Sequence, residues 1–330
     1  MRTLVVSGYG IKIGTKHNYI LIKTKDGVKN VAPSEVDRIL ITTSGVTITS
    51  KLLRLTINYG IDVVVLDSRG FPVSRFYHPY ITKTADSRLA QFASYSNGLA
   101  TEIAKTVAYC KLMNQAGYIA RLGRSLGINE LRETARSIEA LANKVINIDL
   151  NNLQELRKEV MEIEAHGARL YWSSIAYILP KEVGFSGREQ DAHDQVNITL
   201  NYGYGILYTE CWKALTLAGL DPYAGFLHTE RSGKPVLVFD LVEMFRATAV
   251  DSVIISKFRE GWGVEVTNNL ISPKSRSEII KLITESLNKR IKCKYSEGHM
   301  TQAQWIRHTA LELAAALRER RKPKGFIAKW

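Results

Sequence analysis

Residues 86–113, DSRLAQFASYSNGLATEIAKTVAYCKLM, mark the point where the chain changes its period. From Asp86 onward apolar residues recur three and four apart, as in Leu89 to Met113 and again in Leu131 to Val145, the spacing that lines one face of an α-helix. Upstream, from Thr3 to about Pro79, the pattern is short and β-like: Leu4-Val5-Val6, Tyr19-Ile20-Leu21-Ile22, Ile39-Leu40-Ile41 and Val63-Val64-Val65-Leu66, with Asp26-Gly27 and Arg69-Gly70 as turn signals. One helix interrupts it near Ser50 to Asn58. Downstream, Ser275-Arg276-Ser277-Glu278 reads as a capping box opening a helix through Ile279, Leu282, Ile283 and Leu287, and another helix is expected over about His299 to Arg321. The expected fold class is α+β: a small N-terminal β-rich domain over residues 1–82, a junction near 78–86, and a larger all-helical C-terminal catalytic domain over 83–330. That second domain ends in a basic tail, 318–330.

A chain of 330 residues with 45% hydrophobic content can bury the cores of roughly two domains. No stretch approaches the roughly 18 consecutive apolar residues of a membrane span, and Met1-Arg2-Thr3-Leu4 lacks the apolar core of a signal peptide. A cytoplasmic protein with no membrane partner is expected. Cys110, Cys211 and Cys293 are odd in number and far apart, which suits neither a disulfide framework nor a closely spaced zinc site, so they are read as apolar filler. Gly8-Tyr9-Gly10-Ile11-Lys12-Ile13-Gly14 approximates a dinucleotide-binding loop, but the spacing is off by one residue and a strand follows where that fingerprint needs a helix. These glycines are read as a tight turn or bulge. The net charge of +13 points to a polyanionic partner, and its distribution is uneven. Residues 1–84 hold 12 Lys and Arg against 5 Asp and Glu, and residues 318–330 hold 6 against 1. The nearly neutral body between those ends has room for a local acidic site. The tail's basic run, Arg318 to Lys324, suits either a solvated helix end or a nucleic-acid contact.

Three places in the body carry chemistry. Helical spacing aligns Glu164 with Val160, Ala168, Tyr171 and Ile175, so its carboxylate emerges from a largely apolar face and needs a cation or donors. That cation is either a structural partner such as Arg188 or a bound ion. Gly167, one turn on, costs about 1 kcal/mol relative to Ala in a helix interior, yet lets another helix or a ligand come close. His228 ends the loop Gly219-Leu220-Asp221-Pro222-Tyr223-Ala224-Gly225-Phe226-Leu227-His228, and is either an ordinary hydrogen-bonded histidine or a ligand held by packed aromatics. In the run from Val236 to Arg246, Asp240 and Glu243 project from one side of a helix. Asp240 is either the helix N-cap, with Glu243 in the capping-box position or free to face the His228 loop, or a carboxylate of the same chemical site as Glu243. Two carboxylates and one imidazole make an open site for Mn²⁺ or Mg²⁺, oxygen ligands suiting both and the nitrogen tilting the preference toward Mn²⁺. Such an ion activates a water or a DNA 3′-hydroxyl and stabilises charge on the leaving oxygen, so hydrolysis and strand transfer differ only in the nucleophile.

The segments Ile163-Glu164-Ala165-His166-Gly167-Ala168-Arg169-Leu170-Tyr171-Trp172, Gly219 to His228, and Asp240-Leu241-Val242-Glu243-Met244-Phe245-Arg246 closely resemble, in this order, the signatures of Cas-one (Cas1), the CRISPR-associated integrase and endonuclease. Phe185-Ser186-Gly187-Arg188 and Asn197-Ile198-Thr199-Leu200-Asn201-Tyr202-Gly203-Tyr204 match as well, and the likeness runs over the whole chain. The resemblance implies a homodimer with the metal site in the helical domain, its catalytic ligands falling on Glu164, His228 and Glu243, with Asp240 as an accessory acid. Many relatives carry Asp where this chain has Glu243. It also implies double-stranded DNA and the small protein Cas-two (Cas2) as partners. The activity implied is insertion of short foreign DNA into a CRISPR array, by 3′-hydroxyl attack on repeat-boundary phosphodiesters. Arg188 and Arg246 are the candidates for DNA phosphate contact, each better suited than Lys to a bidentate grip, or else structural partners of a nearby carboxylate. Two other functions fit the same residues: a transposon-type integrase of the same fold, and a non-catalytic DNA-binding scaffold.

Overall fold

A computed structural model of the chain describes residues 2–76, 84–189, 191, 194–267 and 270–330. Its N-terminal part comprises strands β1 (Thr3–Val6), β2 (Ile11–Lys16), β3 (Tyr19–Thr24), β4 (Gly27–Val31), β5 (Arg38–Ile41) and β6 (Val46–Ile48), helix α1 (Ser50–Asn58), and strands β7 (Asp62–Leu66) and β8 (Pro72–Phe76). They form two four-stranded sheets, ordered β1-β5-β7-β8 and β4-β3-β2-β6. In the first, β1, β5 and β7 are parallel and β8 closes the edge antiparallel. Between β1 and β2, Gly8 and Gly10 hold φ of 129° and 73°, left-handed values that turn the chain without steric cost, and the Gly10 N–H donates to the Gly45 carbonyl.

Alternation along β5 and β7 decides how the two halves meet. Ile39, Ile41 and Val63 point into a small core with Ile13, Ile20 and Leu52, whereas Leu40, Val64 and Leu66 point the other way and join the large helical core. Both faces of these strands are therefore buried, which is why they read as unbroken apolar runs. The expected boundary between residues 82 and 83 falls outside the described residues.

From Thr84 onward helices dominate: α2 (Thr84–Ala93), α3 (Leu99–Leu126), α4 (Asn129–Ile146), α5 (Leu153–Ile178), α6 (Gln195–Leu217), α7 (Val236–Glu243), α8 (Ser252–Arg259), α9 (Pro273–Asn288) and α10 (Gln302–Arg318). This part is not all-helical, because β9 (Val266–Thr267) pairs with β10 (Leu270–Ile271), and β11 (Arg290–Cys293) with β12 (Ser296–Thr301). His299 lies on β12 opposite Lys292, and α10 begins only after Thr301, whose hydroxyl and Gln304 form the capping box. Nor does Ser275 cap α9. Ser272 does, accepting from the Ser275 N–H at 3.3 Å, with Pro273 in the first helical position and Ser275 buried inside the first turn. No helix among the described residues is long and apolar enough to cross a membrane, and all three cysteines are free and buried.

The basic tail is a packed strap. Phe326 stacks on Phe245 at 4.4 Å, Ala328 bridges to Cys293, and the Trp330 ring covers Gly117, where a Cβ would sit 2.1 Å from it. Arg321 pairs with Glu312 at 2.6 Å and Lys322 with Glu102 at 3.0 Å, so two of the tail's cations are held by this chain's own carboxylates.

Helix α6 docks on the first sheet through two buried contacts. One is an ion cluster: Arg38 on β5 donates to Asp62 on β7 at 3.1 Å and also to Glu210 on α6, while Arg75 on β8 holds Asp62 at 2.6 Å and the Thr209 carbonyl at 2.9 Å. The other is a backbone approach, since a Cβ on Gly205 would lie 2.1 Å from the Gly70 carbonyl oxygen. Gly205→Ala is expected to push α6 off the sheet at a cost of about 2 kcal/mol, outweighing its gain in helix propensity. Urea unfolding checks this; a variant as stable as the parent would show that the two halves slide freely.

Candidate active site

Glu164 occupies the middle of α5, where Gly167 lets α3 approach so closely that a Cβ there would meet the Leu112 side chain at 2.5 Å. The approach brings Lys111, the neighbour of Leu112, to the Glu164 carboxylate. Lys111 Nζ lies 2.9 Å from Glu164 Oε1 and 3.1 Å from Glu243 Oε2, the latter in the last turn of α7. Arg246 takes the other Glu243 oxygen at 2.9 Å. The partner of Glu164 is thus Lys111 and not Arg188. Burial alone would raise the Glu243 pKa, but Arg246, Lys111 and His228 outweigh it and bring it down to about 2. The carboxylate is therefore ionised throughout the neutral range.

Asp240 is no helix cap. α7 already begins at Val236 behind Pro235, so Asp240 sits in its second turn, buried, and reaches sideways to the His228 loop. Its Oδ2 accepts the backbone N–H groups of Phe226 at 2.6 Å and Leu227 at 3.1 Å; its Oδ1 accepts the His228 N–H at 3.0 Å and meets His228 Nδ1 at 2.7 Å. Four contacts commit both oxygens, which makes Asp240 the organiser of the loop. Arg157 on α5 fixes the same loop from the other side through the Phe226 and Gly225 carbonyls. With the proton on Nδ1 directed at Asp240, Nε2 is the ring atom left to accept or ligate. Burial depresses the His228 pKa, yet the Asp240 hydrogen bond and charge, with help from Glu243, raise it overall. The ring is 38% exposed, whereas Glu243 is 3% exposed, so the site opens on the histidine side.

As placed, no three His, Cys, Asp or Glu side chains among the described residues form a ready ligand group. The structure brings Glu164 and Glu243 together around Lys111, and His228 is held by Asp240, one turn before Glu243 on the same helix. Glu164 Oε1 and Glu243 Oε2 are nonetheless buried without an aligned hydrogen bond: the Lys111 ammonium is within ion-pair distance but off the hydrogen-bonding direction. Buried anionic oxygens in that condition call for a cation. Hard carboxylate oxygens with one imidazole nitrogen are a donor set that fits Mn²⁺ or Mg²⁺.

Behind the site stands a buried carboxyl that sequence patterns did not single out. Asp251, at the end of a π-helical turn (Ala247–Asp251), accepts the Tyr204 hydroxyl of α6 at 2.6 Å and the Tyr171 hydroxyl of α5 at 2.8 Å. Burial raises the Asp251 pKa against the pull of those two hydroxyls and of Arg246. The Tyr204 ring carries both expected arginines, Arg246 at 4.8 Å and Arg188 at 5.5 Å. Arg188 spends its terminal nitrogens on Asn197, Asn201 and the Glu189 carbonyl, so it secures its own loop. The Nε of Arg246 has no protein partner. Asn114, one turn past Lys111, donates to the carbonyls of Met244 and Phe326 and accepts from the Ala328 N–H, tying α3, the end of α7 and the tail strap together. Lys111 and Asn114 do carry a sequence signal: helical spacing puts them in line with Val107 and Tyr118 on a stripe that faces inward.

The family model described as CRISPR associated protein Cas1 matches residues 4–282. The CRISPR-associated endonuclease Cas1 2 of Saccharolobus solfataricus is 34% identical over 326 residues, covering 99% of this chain and 98% of the relative. A protein of the same description from Pyrobaculum aerophilum is 35% identical over 86% of this chain and 91% of its own length. Among solved structures, a casposase bound to integration product superposes with a TM-score of 0.83 at 25% identity, over 98% of this chain and 93% of that one.

Proposed function

The chain belongs to the Cas1 family of CRISPR-associated proteins, and from that premise we propose that it is a divalent-metal-dependent DNA endonuclease and integrase. Its reaction would join the 3′-hydroxyls of short foreign DNA to the phosphodiesters at the boundaries of a CRISPR repeat. One observation carries the reading: two carboxylates on separate helices, Glu164 and Glu243, converge around a positive charge, and Asp240, one turn before Glu243, holds the His228 imidazole through Nδ1.

In this reading Glu164, Glu243 and His228 Nε2 hold Mn²⁺ or Mg²⁺. When bound, the ion supplies Lewis acidity, activating the attacking oxygen and neutralising charge on the phosphate. Asp240 keeps Nδ1 protonated, so that Nε2 remains a donor atom for the ion. Arg246, stacked on Tyr204 with its side chain 36% exposed, is the better placed of the two arginines to take a phosphate oxygen, since Arg188 has its terminal nitrogens engaged in its own loop. Attack by water gives a nick, and attack by a DNA 3′-hydroxyl gives strand transfer, with the displaced 3′-oxygen leaving in both. Double-stranded DNA, a second copy of this chain and Cas2 are the proposed partners, in the cytoplasm.

The likeness to a casposase favours one alternative, integration of a mobile element by the same chemistry. A strand-transfer assay separates the readings. A short duplex and a repeat-bearing plasmid are incubated with the protein, with and without Mn²⁺ and Cas2. Joined product at the repeat boundary that requires both additions is the expected outcome. Joining to unrelated sequence supports the mobile-element reading, and DNA binding without any joining or cleavage would reduce the protein to a scaffold.

A further inference from the structure

A buried carboxylate and a half-buried one that both stay ionised do not share a site without a positive charge between them. Here that charge belongs to the protein. Among the described residues Lys111 is the cation in ion-pair contact with both Glu164 and Glu243, and it reaches them from α3, a third helix. Neither oxygen facing it has an aligned hydrogen bond. The ammonium is held chiefly by charge, on a four-carbon stem that can swing. Its side chain is 18% exposed, and the neighbouring His228 side is open, so it has a way out.

We infer that Lys111 is the built-in counter-ion of the divalent-metal site: Nζ occupies the place between Glu164 and Glu243 that the ion takes, and leaves it when the ion binds. The inference rests on the metal-dependent reading above. Two consequences follow from charge alone. Without metal, Lys111 keeps α5 and α7 from being driven apart by their carboxylates. In the presence of metal, the ion must displace an ammonium and then bind in its field, so Lys111 weakens metal affinity while preserving the shape of the site.

Lys111→Met removes the charge and keeps most of the length. In the full-length protein with EDTA, its melting temperature is expected to fall by several degrees below that of the parent. Mn²⁺ binding by calorimetry is expected to tighten about tenfold, as one unit charge is removed from the ion's immediate surroundings. The Mn²⁺-induced rise in melting temperature should then exceed the parent's. Lys111→Arg, which keeps the charge, should show no such gain. Lys111→Gln replaces Lys111→Met where the latter does not fold, with the same direction expected. Mn²⁺ binding by the uncharged variants that is equal to or weaker than the parent's overturns the counter-ion role alone. No Mn²⁺ binding by either parent or variants overturns the metal reading itself, and the role with it.

Discussion

Glu164→Ala and His228→Ala are each expected to lose Mn²⁺-dependent cleavage and strand transfer by at least about a hundredfold, while salt-sensitive DNA binding and self-association persist. Among the described residues Glu164 is the carboxylate that α5 brings to Lys111, and His228 is the imidazole that Asp240 holds one turn before Glu243, so each substitution removes a proposed donor. Asp240→Asn is expected to fall between these and the parent, with metal affinity reduced about 10- to 100-fold. The amide can still accept backbone N–H groups, yet it no longer stabilises the His228 tautomer by charge. Cleavage of a labelled duplex across a Mn²⁺ titration separates the cases, since the Asp240 variant should recover at high Mn²⁺ and the other two should not. Full activity in both purified alanine variants would mean that the carboxylate pair is structural.

Much of this site could be read from residue order, and the exceptions share a cause. Glu164 announced itself as an acid on an apolar helical face, and Gly167 as a point of close approach; α3 supplies both the cation and the approach. Helix α1 was legible because its period and its strand-like flanks contrast over a few residues. Asp240 was misplaced because Val236-Leu237-Val238-Phe239 is apolar on every side. A buried helix and a buried strand look alike in such a run, so the helix start slid by a full turn. The cap of α9 slid in the same way, although Pro273 in Ser272-Pro273 marks the first helical position. The hairpin β11–β12 is short and polar, without the alternation that signals a strand, and its pairing is sustained by the tail strap that bridges to Cys293. Lys111 and Asn114 can be placed on an inward-facing stripe of α3, but their partners, like those of Asp251, lie far along the chain and only tertiary packing joins them.

The cluster between sheet and helix predicts the largest change in stability. Arg38 is 1% exposed and stands between Asp62 and Glu210, so Arg38→Leu deletes a buried guanidinium and leaves two buried carboxylates with fewer partners. Breaking such a cluster from one side costs about 3–5 kcal/mol. Arg75 and Lys213 still attend Asp62, which places the expected value toward the lower end. The effect should depend on pH with a definite sign. Burial would raise the Asp62 pKa, but Arg75, Arg38 and Lys213 outweigh it and hold it below the ordinary carboxylate value. A carboxyl with a depressed folded pKa stabilises the fold above its unfolded pKa of about 3.9 and loses that contribution as pH falls through the folded value. In the parent, then, acid removes stability that the Arg38 variant has already partly lost, and in the variant protonation relieves the stranded charge. The gap between the two in urea unfolding should be widest near neutrality and narrow below about pH 4. A gap that stays constant down to pH 3 would show that Arg38 contributes by packing and not by charge.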